Sequence, residues 1–197
     1  MHLRIPLILA SASPRRRHLL QRLGLRFEVI PSHAEEHAPD GLPPEALVQQ
    51  LAMDKAGVVA ASHPDALTLG ADTIVVLEGD VLGKPAGPAE ARAMLRRLSG
   101  RTHTVFTGLA LLYPANDLRR TLFEATEVTF GVLSDQEIDA YVATGAPLDK
   151  AGAYGIQEDY GALFVERIEG DFYTVMGLPL HRLYRLLQAE FPDLIAL

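Results

Sequence analysis

The sequence contains no cysteine and no tryptophan, and it has no long apolar run. Without cysteine the chain can form no disulfide, thiolate zinc site or cysteine nucleophile, and a cytoplasmic location is expected. The apolar run from Ile5 to Ala10 is shorter than a signal-peptide core, and no later run approaches the roughly 18 residues of a membrane span. The sequence therefore predicts a soluble protein without a membrane partner.

The chain also lacks an excess of basic residues. It has 18 Lys and Arg against 25 Asp and Glu, a formal net charge of -7, which argues against a nucleic-acid partner. Phosphate-loop, dinucleotide-fingerprint and paired-histidine zinc motifs are missing as well. What remains is an ordinary globular composition over 197 residues, long enough for a sizeable core. It predicts a single domain over 1–197, with two closely merged lobes as the alternative.

Hydrophobic periodicity and capping residues predict an alternation of helices and strands in the first half of the chain, followed by a long hairpin. The expected helices cover 13–23, 44–61, 88–98, 134–143 and 178–190. The expected strands cover 7–10, 25–32, 66–77, 102–113, 120–130 and 161–168, with a hairpin turn at 78–80. This pattern predicts an α/β fold with a sheet of mixed direction.

The stretch "LILASASPRRRHLL", residues 7–20, places three arginines in the first turn of a helix. Ser13 is the expected N-cap and Pro14 the first helical residue. Cations at this end oppose the helix dipole, whereas a bound phosphate would be favoured by the dipole, the free N–H groups and the arginines. The alternative is a capped surface helix whose arginines pair with acidic neighbours.

Other stretches could also carry chemistry, and each has a structural alternative. Asp72 and Thr73 interrupt an apolar run; a buried carboxylate there would suit a general base or a magnesium ligand, whereas one at a strand edge would only cap a turn. Lys55 and Lys84, each taken alone, are typical of solvated surface lysines. Glu36, beside a second glutamate in a loop, is typical of a solvated pair.

The segment "LDKAGAYGIQ", residues 148–157, combines small residues with Tyr154 and Gln157. Small residues let a planar ligand approach the backbone, and a glutamine amide offers a donor and an acceptor to a base edge. Taken alone, the segment is more typical of a glycine-rich connection with a packed tyrosine.

Taken together and in order, these stretches resemble the Maf family of nucleoside triphosphate pyrophosphatases. The similarity extends from Leu9 to Leu180. It rests on "LASASPRR", the glutamate-containing loop, "LAMDKA", "LGADTIVVLEGDVLGKP", "LSGRTHTVFTGLAL", "PLDKAGAYGIQ" and "GLPL".

The resemblance implies hydrolysis of a nucleoside triphosphate to the monophosphate and pyrophosphate with a divalent metal, Mg²⁺ or Mn²⁺. It also implies a homodimer and a long mixed β-sheet flanked by helices, in two lobes with a central cleft, similar to inosine triphosphate pyrophosphatases. The implied catalytic residue is Asp72, as the general base or as a metal ligand, and Glu36 is the second residue assigned to the metal. The implied phosphate-binding residues are Ser11, Arg15, Arg16, Lys55 and Lys84, and the implied specificity residues are Arg15, Thr73 and Gln157.

Within the family, "KAGAYGIQ" resembles the branch that acts on dTTP and UTP. A single glutamine amide can pair with both O4 and N3–H of uracil or thymine, which agrees with that assignment. The chain departs from the family pattern at Ala12, Glu158 and Tyr160, and the two larger side chains beside Gln157 could reshape a base pocket. Activity on 7-methyl-GTP or other modified nucleotides, and a nucleotide-binding role in septum formation without turnover, are the alternatives.

Overall fold

The computed structural model of the chain describes residues 2–34, 41–157, 159–192 and 195–196. Within these ranges the α-helices are α1 (Pro14–Arg22), α2 (Pro44–Ala60), α3 (Pro88–Leu98), α4 (Asp135–Ala143), α5 (Asp159–Phe164), α6 (Phe172–Met176) and α7 (Leu180–Glu190). The strands are β1 (His2–Leu3), β2 (Leu7–Leu9), β3 (Glu28–Val29), β4 (Leu67–Leu77), β5 (Asp80–Leu82), β6 (Thr102–Tyr113), β7 (Leu118–Phe130), β8 (Val165–Glu169) and β9 (Ile195–Ala196). Short 3₁₀ turns cover Pro114–Asn116, Ala146–Asp149 and Ala151–Ala153.

A seven-stranded mixed sheet forms the centre of the fold. Its strand order is β3-β2-β4-β6-β7-β8, and β5 pairs with β4. β2 is parallel to β3 and to β4, whereas β4–β5 and β7–β8 are antiparallel. β1 and β9 form a separate antiparallel pair. The predicted α/β class with a mixed sheet is confirmed.

Local signals in the sequence account for most helix and turn boundaries. Ser13 and Ser134 cap α1 and α4 through their side chains, and Ser134 forms both hydrogen bonds of a capping box with Glu137. The sequence predicts a hairpin turn at 78–80; the turn consists of Glu78 and Gly79, with φ of 55° and 91°, and Asp80 already pairs with Leu77 as the first residue of β5. The prediction that 102–113 and 120–130 form a hairpin is also confirmed, since β6 and β7 are sheet neighbours joined by a short turn.

Two strand predictions are only partly correct. The strand expected over 25–32 is reduced to the two residues of β3. The strand expected over 161–168 is wrong in its first half, which belongs to α5, and only its second half lies in β8. Helical spacing brings the rings of Tyr160 and Phe164, four residues apart, onto the ring of Tyr141, with centroid distances of 5.8 Å and 5.4 Å. These long-range ring contacts outweigh the β-type sequence pattern.

Close packing of α2 against the sheet depends on two glycines. A Cβ atom at Gly70 of β4 would lie 2.2 Å from the carbonyl oxygen of Ala52, and one at Gly108 of β6 would lie 2.2 Å from that of Val48. Only glycine allows the helix backbone to approach these strands so closely.

The chain divides into two compact units. The first comprises residues 1–72, 107–124 and 177–197, and the second comprises 73–106 and 125–176. In the first unit α2 covers β4 and β6, and in the second α3 packs on α4. Ion pairs join these two helices, from Arg92 to Asp139 at 2.5 Å and from Arg96 to Asp135 at 2.7 Å. In the part of the chain that the structure describes, no helix is both long and apolar enough to cross a membrane.

Candidate functional site

Asp72 lies in the interior of β4 and forms an ion pair with Lys55 of α2. The Lys55 Nζ atom lies 2.5 Å from the Asp72 Oδ1 atom, and the two side chains are 16% and 12% exposed. The close approach of α2 at Gly70, two residues before Asp72, brings the lysine within reach. The alternative in which Asp72 caps a turn at a strand edge is therefore wrong, and Lys55 is not a solvated surface lysine.

Ser11 and Arg16 are joined in the turn between β2 and α1. The buried Ser11 hydroxyl accepts hydrogen bonds from the Ser13 N–H at 3.2 Å and from Arg16 Nη1 at 3.4 Å. Arg16 Nε donates to the carbonyl oxygen of Gly177 at 2.8 Å. These two bonds, both to neutral oxygens, orient the guanidinium in the turn.

The first turn of α1 carries a concentrated positive charge. It contains Arg15, Arg16 and Arg17 and no acidic residue. Arg15 and Arg16 are half-buried, whereas Arg17 is exposed. Positive side chains and unpaired backbone N–H groups at a helix N-terminus together favour a bound anion.

The sheet register brings the arginine turn close to Asp72 within the first unit. Leu9 of β2 pairs with Leu69 of β4, and the Ala10 N–H donates to the Leu69 carbonyl oxygen at 2.8 Å. Ser11 follows at the end of β2, and Asp72 lies three residues beyond Leu69 on the neighbouring strand. The cationic turn therefore follows the strand that neighbours β4, the strand that carries Asp72.

The second unit contains three of the predicted site residues. Thr73 is half-buried, and Lys84 and Gln157 are exposed. The Gly152 N–H donates to the carbonyl oxygen of Gly83 at 3.1 Å, so the segments that carry Lys84 and Gln157 are hydrogen-bonded neighbours. Glu36, the remaining predicted metal ligand, lies outside the described residues.

A buried aromatic cluster supports the segment before Gln157. The Tyr154 hydroxyl lies 2.8 Å from Nε2 of His103, which is 2% exposed. Burial lowers the pKa of His103 to about 4. The pKa of Tyr154 is raised, first by burial and then by Tyr141. Both partners are therefore neutral near pH 7.

Sequence reasoning missed His103, Lys150 and Gly177. Lys150 is 5% exposed, and its ammonium group donates to the carbonyl oxygen of Ala146 and lies 2.6 Å from Asp149. Its position inside a segment of small residues was the available signal. No local signal could have indicated that Gly177 binds Arg16, because the two residues are 161 positions apart.

Asp72 is the predicted metal ligand that lies among the described residues. Among the described residues no three His, Cys, Asp or Glu side chains are grouped to hold an ion. Mg²⁺ is usually held by one or two carboxylates together with waters and substrate phosphates, and Asp72 provides one such carboxylate. The described residues thus fit a metal that is shared with a phosphate ligand.

Comparison with known proteins identifies the family. The model of the family described as "Maf-like protein" matches residues 6–190, a range that includes all the predicted site residues. The chain belongs to the Maf-like family. The Maf resemblance drawn from the quoted motifs is confirmed.

Several curated Maf relatives cover almost the whole chain. A dTTP/UTP pyrophosphatase of Salinibacter ruber (strain DSM 13855 / M31) is 52% identical over 99% of this chain and 96% of its own. One from Moorella thermoacetica (strain ATCC 39073 / JCM 9320) is 57% identical over 92% of this chain and 93% of its own. A solved HAM1 protein from Coxiella burnetii has 20% identity and a TM-score of 0.41, covering 64% of this chain and 73% of its own.

Proposed function

We propose that this Maf protein hydrolyses dTTP and UTP to the nucleoside monophosphate and pyrophosphate. The observation that carries the proposal is the buried Lys55–Asp72 pair, one strand away from the arginine turn at Ser11. This arrangement combines a carboxylate for a water nucleophile or a metal with cations for a triphosphate. Relatives with 52% and 57% identity are named dTTP/UTP pyrophosphatases, which supports the same reaction and substrates.

The proposed roles of the cationic side chains follow from the negative charge of the triphosphate. Arg15, Arg16, Lys55 and Lys84 neutralise the triphosphate, and the Ser11 turn receives phosphate oxygens. Water attacks the α-phosphorus, the bond to the bridging oxygen breaks and pyrophosphate leaves. Phosphoryl transfer depends mainly on positioning and charge stabilisation, which a cluster of cations with one carboxylate can supply.

Asp72 has two candidate roles in this reaction, as the base that takes a proton from the attacking water or as a metal ligand. The bound Mg²⁺ or Mn²⁺ would supply Lewis-acid stabilisation of phosphate charge. Asp72 would hold it, and Glu36 is the proposed second carboxylate. Lys55, at 2.5 Å from Asp72, keeps that side chain in a fixed orientation.

Base recognition is assigned to Gln157, with Arg15 and Thr73 as further specificity residues. The amide of Gln157 can donate to O4 and accept from N3–H of uracil or thymine. Its exposed position in the second unit leaves the side chain accessible to a ligand.

Release of pyrophosphate by the purified protein tests the proposal. The panel contains dTTP, UTP, CTP, GTP, ITP, 7-methyl-GTP, 5-methyl-UTP and pseudo-UTP, each with Mg²⁺ or Mn²⁺. We expect the highest kcat/KM with dTTP and UTP. A higher kcat/KM for 7-methyl-GTP would show that the substrate class is different from the proposed one. Nucleotide binding without pyrophosphate release from any nucleotide would favour a regulatory role.

Metal removal is a separate test. After chelation with EDTA, turnover of UTP should fall to background, and excess Mg²⁺ or Mn²⁺ should restore it. Full activity in EDTA would exclude the proposed metal. Homodimer formation and a cytoplasmic location stay predictions of the sequence.

A further inference from the structure

The segment 150–157, which leads to Gln157, has a strained backbone. Gly152 and Ala153 adopt φ of +68° and +60° in succession. This region suits Gly152, whose added Cβ would meet the side chain of Val75 at 3.0 Å, but it is unfavourable for Ala153, which is fully buried. A strained conformation persists only where surrounding contacts determine it.

Three hydrogen bonds within the second unit hold this segment, and two of them are buried. The Gly152 N–H donates to the Gly83 carbonyl oxygen at 3.1 Å, and the Gly155 N–H donates to the Tyr141 hydroxyl at 3.2 Å. The Tyr154 hydroxyl is bonded to His103 Nε2 at 2.8 Å. The anchors therefore include Gly152 of the strained pair and Tyr154, the residue immediately after it.

Edge-to-face ring contacts fix the side chains that form these bonds. The rings of His103 and Tyr154 have centroids 5.4 Å apart, and both lie against Phe130 at 5.1 Å and 4.8 Å. Nδ1 of His103 is buried without a hydrogen-bond partner. A buried nitrogen without a partner costs free energy, and the ring contacts and the bond to Tyr154 must offset that cost.

Pyrimidine discrimination needs a fixed amide. Uracil presents an acceptor at O4 and a donor at N3, whereas cytosine presents the opposite pair. A glutamine amide that turns by 180° exchanges its donor and acceptor and can then pair with cytosine. Discrimination also requires the backbone to hold Gln157 at a constant position beside the base, because a displaced amide cannot form both hydrogen bonds with uracil.

We propose that Tyr154, His103 and Tyr141 are positioning residues that hold segment 150–157 in its strained conformation and thereby fix the Gln157 amide for uracil recognition. The inference rests on the proposed function. These residues act through Gln157 and not on the phosphates, so their loss should change base selectivity more than the chemical step.

The variant Tyr154→Phe tests this inference, because it removes one hydroxyl and retains the packed ring. The matched control is Tyr184→Phe in α7, which removes a hydroxyl that accepts a hydrogen bond from Gln188 at 2.6 Å. The ratio of kcat/KM for UTP to that for CTP should fall about three- to tenfold in Tyr154→Phe, the usual effect of one neutral hydrogen bond. The change should lie in KM, with kcat for UTP within about twofold of wild type.

Hydrogen exchange of the backbone amides supplies a readout that does not depend on turnover. Amides of 150–157 should exchange faster in Tyr154→Phe than in wild type or Tyr184→Phe. Tyr141→Phe, which removes the acceptor of the Gly155 N–H, should shift both readouts in the same direction. If Tyr154→Phe shows no cooperative thermal transition and is therefore not folded, the results for Tyr141→Phe test the inference in its place.

The results distinguish failure of the positioning role from failure of the proposed pyrophosphatase function. If wild type releases pyrophosphate but the selectivity ratio or the exchange of 150–157 is unchanged in the variants, the inference is wrong and the proposed function stands. An equal fall in the ratio in Tyr184→Phe also overturns the inference. If wild type releases no pyrophosphate from any nucleotide, the proposed function fails, and the inference that rests on it fails too.

Discussion

Two buried polar pairs, one in each unit, differ in charge and in access to solvent. Lys55 and Asp72 are joined at 2.5 Å, and their side chains retain 16% and 12% exposure. His103 and Tyr154 are joined at 2.8 Å, are both buried, and have pKa values displaced away from neutrality. The first pair combines opposite charges with solvent access, whereas the second is neutral and enclosed.

The difference indicates what each pair can do. A partly accessible carboxylate and ammonium can exchange their mutual contact for contacts with water, phosphate or a metal. A neutral, enclosed hydrogen bond has no charge to offer a ligand, so its effect is confined to holding the backbone in place. The Lys55–Asp72 pair is therefore suited to binding or reacting with a ligand, and the His103–Tyr154 pair is suited to fixing the conformation of the backbone.

The largest expected effect comes from neutralising the charged pair. Asp72→Asn keeps the side-chain size but removes the carboxylate, so turnover of UTP should fall about 10²- to 10⁴-fold if Asp72 is the base. Steady-state pyrophosphate release measures the loss. Asp54→Asn, which changes an aspartate of α2 hydrogen-bonded to Gln50, is the control and should stay close to wild type. A folded Asp72→Asn enzyme with a normal rate would remove Asp72 from the reaction.

The neutral pair of His103 and Tyr154 should instead affect how the free energy of unfolding depends on pH. The pKa of His103 is about 4 in the folded protein and about 6.5 without burial. The unfolded chain therefore binds a proton first as pH falls. The contribution of neutral His103 to the free energy of unfolding is therefore complete above pH 6.5. It is lost between about pH 6.5 and 4, and the loss amounts to about 3 kcal/mol.

Urea unfolding at pH 7 and pH 4 would measure this loss. His103→Gln has no titrating imidazole, so its free energy of unfolding should fall less than that of wild type over the same interval. The carboxylates are common to both proteins, and their contributions cancel in the difference. Equal losses in the two proteins would contradict the buried, neutral state of His103.

The sequence predicted those elements whose signals are local. The capping box at Ser134, the glycine-containing turn at Glu78 and the helix that begins at Pro44 depend on residues a few positions apart, and all three are present. The candidate residues Asp72 and Lys55 were also named individually from the motifs. Their roles stay predictions, because the described contacts establish positions and not reactions.

The geometry of the site could not be predicted, because it depends on distant contacts. The ion pair between Lys55 and Asp72 requires α2 to pass within contact of Gly70, which is a property of the packed sheet. The bond between Arg16 and Gly177 joins opposite ends of the chain. The helix at 159–164 likewise forms in place of an expected strand because its aromatic rings pack on Tyr141.

A smaller effect should follow from changing the packing beneath the charged pair. In Gly70→Ala the new methyl group would meet the Ala52 carbonyl oxygen at 2.2 Å, so α2 must shift. We expect a loss of about 1–3 kcal/mol in the free energy of unfolding and a lower kcat. Thermal and urea unfolding give the first value, and pyrophosphate release gives the second.

Gly57→Ala is the control for this change. Gly57 lies within α2, and a Cβ atom there would have no neighbour within 4 Å. Alanine should be neutral or stabilise the helix by up to about 1 kcal/mol. If Gly70→Ala behaves in the same way as Gly57→Ala, the close approach of α2 to β4 does not determine the position of Lys55.

The smallest expected effect comes from single arginine substitutions in α1, which test whether the position of a positive charge within one helical turn affects phosphate binding. Arg15 is half-buried and Arg17 exposed, although both belong to the first turn of α1. Arg15→Gln should reduce kcat/KM for UTP about tenfold or more, since a charge-assisted hydrogen bond to phosphate contributes roughly 1.5–3 kcal/mol. Arg17→Gln should leave kcat/KM within about twofold of wild type, because a solvated cation is screened. Equal losses would mean that the net charge of the turn, and not the placement of Arg15, determines phosphate binding; the salt dependence of KM in both variants would then be the same.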